Sequence, residues 1–237
     1  MILKKLLTAA TLAALTSSVM AADAKEELTK AAKALGEKGY SWKSTSERPG
    51  GGGGRGGGAQ EGKVDKDGTV YLTSTFRDNK TEAYIKGEKF AYTNQDGQWE
   101  SAADAENAEG PGRFRALMYR NYKAPAAQAQ EIAGLMKDLK KEGDAYSGEL
   151  TTEGAKTLMS FRGGRRGGDN APEITGAKGT AKFWVKDGVL SKYQYSVQGK
   201  REFNGEERDL DRTTTVEFKD VGMTKLEIPE AAKKKLS

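Results

Sequence analysis

The feature that most constrains this chain is a period of two, repeated in short segments that end in turn dipeptides. Val70, Leu72, Ser74 and Phe76 alternate with Tyr71, Thr73 and Thr75. Tyr84, Ile85, Phe90, Tyr92 and Trp99 fall in the short segments that follow. Between them stand Asp67-Gly68, Asp78-Asn79, Lys86-Gly87 and Asp96-Gly97. Alternation puts one row of side chains on each face of a strand. Glycine or asparagine in the dipeptides supplies the positive φ that a two-residue hairpin turn needs. Short strands with turns at this spacing predict an antiparallel meander, in a sandwich or a barrel.

The pattern extends to both sides of this region. Tyr40, Trp42, Ser44 and Ser46 share one face of a strand. Ala181, Phe183 and Val185 alternate with Lys182, Trp184 and Lys186, and Asp187-Gly188 turns the chain. Val189, Ser191, Tyr193, Tyr195 and Val197 then line one face of the next strand. Asn204-Gly205 marks another hairpin, and Thr214, Val216 and Phe218 form the inner face of a last long strand.

Helical spacing interrupts the strands. Ala24, Leu28, Ala31, Ala32 and Leu35 predict a helix over Asp23 to Leu35, with Gly36 as its stop. Phe114, Leu117, Met118 and Tyr122 form one stripe, and Ala129, Ile132, Ala133, Met136 and Leu139 form another. Two helices over 112–140, broken at Ala124-Pro125, are expected. Tyr146 to Leu150 reads as a strand, Thr152 to Met159 as a short helix, and Pro229 opens a terminal helix running into Lys233-Lys234-Lys235.

Two glycine-arginine segments lack any apolar period. They lie at 49–62, with Arg55, and at 162–170, with Arg165 and Arg166, and both are expected to be flexible loops inside one domain. Such segments resemble RNA-binding tails. A surface loop explains them more simply, and contact with an anionic membrane surface is the other role their arginines suggest. Gly50 to Gly58 lacks the lysine and hydroxyl of a phosphate-binding loop.

The N-terminus reads as a secretory signal. Lys4 and Lys5 precede an apolar run from Leu6 to Leu15, and Val19 and Ala21 sit at −3 and −1 of a cleavage site. The run is far short of the ~20 residues that span a bilayer. Cleavage after residue 21 leaves 216 of the 237 residues, starting at Ala22, and lowers the formal charge from +5 to +3. That charge does not call for nucleic acid as a partner.

The chain contains no cysteine and no histidine. Disulfides, thiol nucleophiles, thiolate metal sites and the usual general base are therefore excluded. No cofactor, metal or catalytic residue is expected, and carboxylate chemistry on a sugar has no pair of acids singled out for it. The candidates left are the apolar and aromatic faces. Trp42, Tyr71, Tyr84, Phe90, Tyr92, Leu117, Met118, Ile132, Met136, Phe183, Tyr193 and Tyr195 are the expected ligand-binding residues. Large aromatic and methionine side chains suit irregular apolar ligands, although each residue taken alone is better read as a core residue.

The order of elements carries a resemblance: an exported helix, a strand, a hairpin meander, a helical pair and long final hairpins that end at Ile228-Pro229-Glu230-Ala231-Ala232. With the strand-turn-strand unit from Phe183 to Leu190, it resembles the LolA-like family of periplasmic lipoprotein carriers and the related mycobacterial lipid-carrier lipoproteins. The resemblance implies an α+β fold, an antiparallel half-open β-barrel with a helical lid at Phe114 to Leu139, around a cavity that takes acyl chains. The expected function is a monomeric periplasmic or secreted carrier of apolar ligands. The alternative is an envelope interaction or sensor module with a packed barrel.

Overall fold

The computed structural model describes residues 23–49, 59–76, 79–106, 117–160, 173–203 and 205–236. Both glycine-arginine arginine positions, Arg55 and Arg165-Arg166, and the signal segment lie outside them, as does Phe114.

Twelve antiparallel strands form one open sheet. They are β1 (Tyr40–Glu47), β2 (Gln60–Val64), β3 (Val70–Phe76), β4 (Asn79–Lys86), β5 (Lys89–Thr93), β6 (Trp99–Ser101), β7 (Lys140–Glu142), β8 (Ala145–Glu149), β9 (Ile174–Lys186), β10 (Val189–Phe203), β11 (Glu206–Asp209) and β12 (Arg212–Lys219). The order is β6-β5-β4-β3-β2-β1-β12-β10-β9-β8-β7, with β11 extending β10. The helices are α1 (residues 23–36), α2 (Ala102–Glu106), α3 (residues 117–120), α4 (Pro125–Gly134), α5 (Thr152–Ser160) and α6 (Glu230–Leu236). The fold is α+β, with a half-open sheet, α1, α4 and α5 packed on its inner face and α6 on the other.

The turn dipeptides behave as their chemistry requires. Gly68, Gly87 and Gly97 take φ of 82°, 61° and 75°, and Asp187-Gly188 has positive φ at both positions, 52° and 73°. The last pair has the mirror-image twist that a two-residue hairpin favours.

The inner face holds the main core. Tyr40, Trp42, Leu72, Ile85, Phe90, Tyr92, Phe183, Tyr193, Val197 and Val216 pack with Leu28 and Leu35 of α1, Ile132 of α4 and Leu158 of α5. A smaller cluster lies on the other face, where Ala232 of α6 packs with Tyr84 and Ala91, flanked by Tyr71, Trp99, Ile228 and Leu236. The Tyr84 hydroxyl donates to the Glu227 carbonyl at 3.1 Å, and Lys235 Nζ to Asp104 of α2 at 2.7 Å, so α6 is clamped across β4–β6.

Three sequence-based boundaries move. Gln60 to Gly62, expected in the first loop, belong to β2 and pair with β1 and β3. Gly62 has no side chain there because the Trp42 indole occupies the space: a Cβ would stand 2.5 Å from the Tyr71 carbonyl and 2.7 Å from Trp42 Nε1. The helix expected to run to 140 ends at Gly134. Met136 instead bridges Leu150, and Lys137 N–H donates to the Glu149 carbonyl at 2.8 Å, so residues 136–142 join the sheet edge. The second loop gives way to strand at Ile174, seven residues before the alternation at Ala181 announces it.

Gly62→Ala is expected to lower the unfolding free energy by about 1–3 kcal/mol, the usual cost of overpacking. Gly134→Ala, where a Cβ meets nothing within 4 Å, is expected to be neutral or stabilising. Urea unfolding of both variants checks this pair.

A candidate ligand-binding trough under an alanine-rich helix

The inner side of β1, β12, β10 and β9 is a row of aromatic rings. Tyr40 meets Phe218 edge-on at 5.4 Å between centroids, Phe218 meets Tyr193 at 5.9 Å, and Tyr193 meets Phe183 at 6.1 Å. Their alternating positions put each on the inner face, and strand pairing aligns them: Trp42 stands opposite Phe218, and Tyr193 opposite both Phe183 and Val216. A second group, Phe90, Tyr92 and Tyr119, has centroids 5.5–6.2 Å apart near the β5 end.

α4 covers the row. It begins at Pro125, where the missing N–H costs nothing. Its buried face is Pro125, Ala126, Ala129, Ile132 and Ala133. Small side chains let it rest on the rings without interlocking with them. Polar tethers hold it. Tyr193 Oη donates to Gln128 Oε1 at 2.6 Å, and the Ala126 N–H donates to Tyr40 Oη at 3.3 Å. Lys25 of α1 reaches the Gly134 carbonyl at 3.4 Å. No side chain caps its N-terminus.

Burial sets the electrostatics of the trough. It pushes the Tyr40 phenol up to about 12, opposed by the hydrogen bond from Ala126. It raises Tyr193 and Tyr122 well above the usual phenol value, with neighbouring tyrosines adding to the rise. These phenols are neutral hydrogen-bonding groups at physiological pH, not bases. Among the described residues no group of three or more acidic side chains is placed to hold a metal ion. The Trp42 indole N–H is buried without a hydrogen-bond partner among the described residues.

Of the residues proposed from sequence, Trp42, Phe90, Tyr92, Ile132, Met136, Phe183, Tyr193 and Tyr195 fall in the inner core, with Met118 packed against it. Leu117 is 40% exposed on α3. Tyr71 and Tyr84 lie on the opposite face, 4.9 Å apart beneath α6, so the structure does not bring them to the trough. Tyr119 and Gln128 were not singled out. Tyr119 falls off the stripe of Phe114, Leu117, Met118 and Tyr122, and a polar Gln128 gives no apolar signal. A shallow groove of about 380 Å³ also occurs on the outer side of β8–β10, lined by Ser147, Glu149, Thr180, Lys182, Gln194 and Ser196. Gly148 and Ala181 complete its lining, and it lies on the opposite face of the sheet from the aromatic row.

No protein-family model matches the chain, and no curated protein matches it significantly. Among solved structures it is similar to LprF from Mycobacterium bovis, with 12% identity over 89% of this chain and 97% of that one and a TM-score of 0.44. It is also similar to a LolA superfamily protein from Nitrosomonas europaea, with 9% identity over 88% and 95% of the two chains and a TM-score of 0.33. At these identities the likeness concerns the fold alone.

The raised phenols make stability pH-dependent in a defined direction. Their folded-state values lie above the ordinary 10, so their contribution is complete below pH 10 and is lost above it, for Tyr40 as pH rises from 10 towards about 12. Thermal melts are expected to fall over that window, and less so in Tyr40→Phe.

Proposed function

We propose that this chain is a binding or carrier protein for apolar ligands, acyl chains of lipids or lipoproteins above all, and not an enzyme. The ligand enters between α4 and the aromatic row beneath it. The observation that carries this reading is a helix of small residues laid over a continuous face of aromatic side chains, tethered along its length by three hydrogen bonds and just past its end by the Met136–Leu150 bridge. Lifting α4 uncovers Ile132 and the alanines together with the rings beneath them, and a ligand in the trough covers those surfaces again. An acyl chain of about fifteen methylenes adds its own burial, at roughly 0.8 kcal/mol for each. The helix is then a lid, and its displacement is the gating step.

The signal-like N-terminus supports action in the periplasm or outside the cell, as a mature form starting near Ala22. No helix among the described residues is long and apolar enough to cross a membrane. A second reading is a packed interaction or sensor module. It is favoured by the trough being filled in this structure, where Ile132, Phe183 and Tyr193 are all fully buried.

The absence of cysteine allows a clean lock. A Cβ at Gly36, at the end of α1, stands 3.7 Å from Ala126 Cβ at the start of α4, within the range for a disulfide. Oxidised Gly36→Cys/Ala126→Cys is expected to lose uptake of a fluorescent fatty acid at least tenfold, with recovery on reduction. Ala133→Trp, which fills the trough, is expected to lower retention irreversibly. Uptake that is indifferent to the redox state of the double variant contradicts a mobile α4.

A further inference from the structure

Three arginines share the inner face where β10, β11 and β12 meet the end of α5. Arg201 pairs with Ile174 of β9 and with Arg208 of β11, and Arg212 pairs with Val197 of β10. Paired residues project to the same face of a sheet. The buried alternation Tyr193, Tyr195, Val197, Gly199 leads directly to Arg201. At about 3.3 Å per residue, Val197 and Arg201 are some 13 Å apart, a gap that two arginine side chains span around one anion.

These arginines are poorly compensated. Arg212 is 8% exposed, and its Nη2 donates to the Leu158 carbonyl. The Nε atoms of both Arg201 and Arg212 are buried without a hydrogen-bond partner among the described residues. Arg208 pairs with Glu206 at 3.6 Å and stacks over the half-exposed Phe203 ring at 5.0 Å. The other nearby acids are engaged elsewhere. Glu207 pairs with Lys200, Glu173 lies near Lys156, and Asp211 Oδ1 accepts the Gly199 N–H. Directly opposed like charges repel, and a buried guanidinium with no carboxylate is costly. A bound oxyanion removes both costs and matches the planar donor fork of arginine.

We propose that this corner is an anion site that holds the phosphate or carboxylate head of an amphiphile whose acyl chain lies along Tyr195, Tyr193 and Phe183. This rests on the carrier reading and narrows its ligand class to anionic amphiphiles.

The test is titration of the full mature chain with lysophosphatidate, palmitate, neutral monopalmitoylglycerol and inorganic phosphate, in the wild type and in Arg201→Gln/Arg208→Gln. The anionic amphiphiles are expected to bind at least tenfold more tightly than the neutral one. In the double variant that preference disappears while neutral binding is unchanged. Comparison of lysophosphatidate with palmitate identifies which head is preferred. Equal binding of all three amphiphiles, or a preference that survives in the double variant, overturns the anion site and leaves the carrier reading standing. No binding of any amphiphile overturns both. Inorganic phosphate binding as tightly as lysophosphatidate assigns the corner to a free anion and overturns the amphiphile head. Should the double variant not fold, the wild-type preference decides together with Arg201→Lys, which keeps the charge and is expected to keep part of the preference.

Discussion

The pairing of β1 with β12 is the constraint on which the rest of the structure depends. It runs from Ser41 opposite Lys219 to Glu47 opposite Thr213 and joins two meanders, β1–β6 and β7–β12, into one sheet. Its partners are about 170 residues apart, so its loop-closure entropy must be met by what it brings together. It brings together Tyr40 and Phe218 edge-on, and Ser46 and Thr214 within 2.9 Å of each other. It also sets the Phe218 ring against Tyr193. Without this seam the aromatic row has no middle, and α4 has nothing continuous to cover.

The proposed function follows from an asymmetry across that row. Below lie rings fixed by strand register, and above lies a short helix whose contact residues are mostly alanine. α1 is held differently. Glu27 accepts from both Lys141 at 2.6 Å and Tyr146 at 2.8 Å, which ties α1 to β7 and β8, and it runs straight into β1. The inner layer therefore has α1, tied by side chains to β7 and β8, and α4, which is held to the sheet edge just past its end by the Met136–Leu150 bridge and meets the rings along its length mainly through small residues. The second is the natural moving part. The same sheet places three arginines at one end of the row, two of them with a buried Nε that has no partner among the described residues, giving the trough a charged end and an apolar length. An anionic amphiphile has the same division.

Much of the fold was legible in the sequence, because strand alternation and turn chemistry are local. Val70-Tyr71-Leu72 and the Asp-Gly pairs declare hairpins before any tertiary contact is known. What alternation leaves open is which of two faces looks inward when both carry aromatics. Tyr71 and Tyr84 were grouped with Trp42 and Tyr193 for that reason, and the deciding fact is remote, namely α6 docking on the outer side of β4–β6. Gly62 reads as loop in a glycine-rich segment, and only its cross-strand neighbour Trp42 reveals why a strand needs glycine there. The end of α4 was hidden likewise. Met136 and Leu139 continue the helical stripe, but pairing with Leu150 and Glu149 wins over helix propagation. The arginine corner left no local trace at all, since it is assembled by three strands.

The central claim is that the space under α4 belongs to an amphiphile. The most direct measurement is mass spectrometry of organic extracts from the chain after export, purified without detergent. The account predicts close to one anionic amphiphile per protein molecule. A protein that carries no lipid, and that takes up no acyl probe when offered one, contradicts it and leaves a packed interaction module in its place.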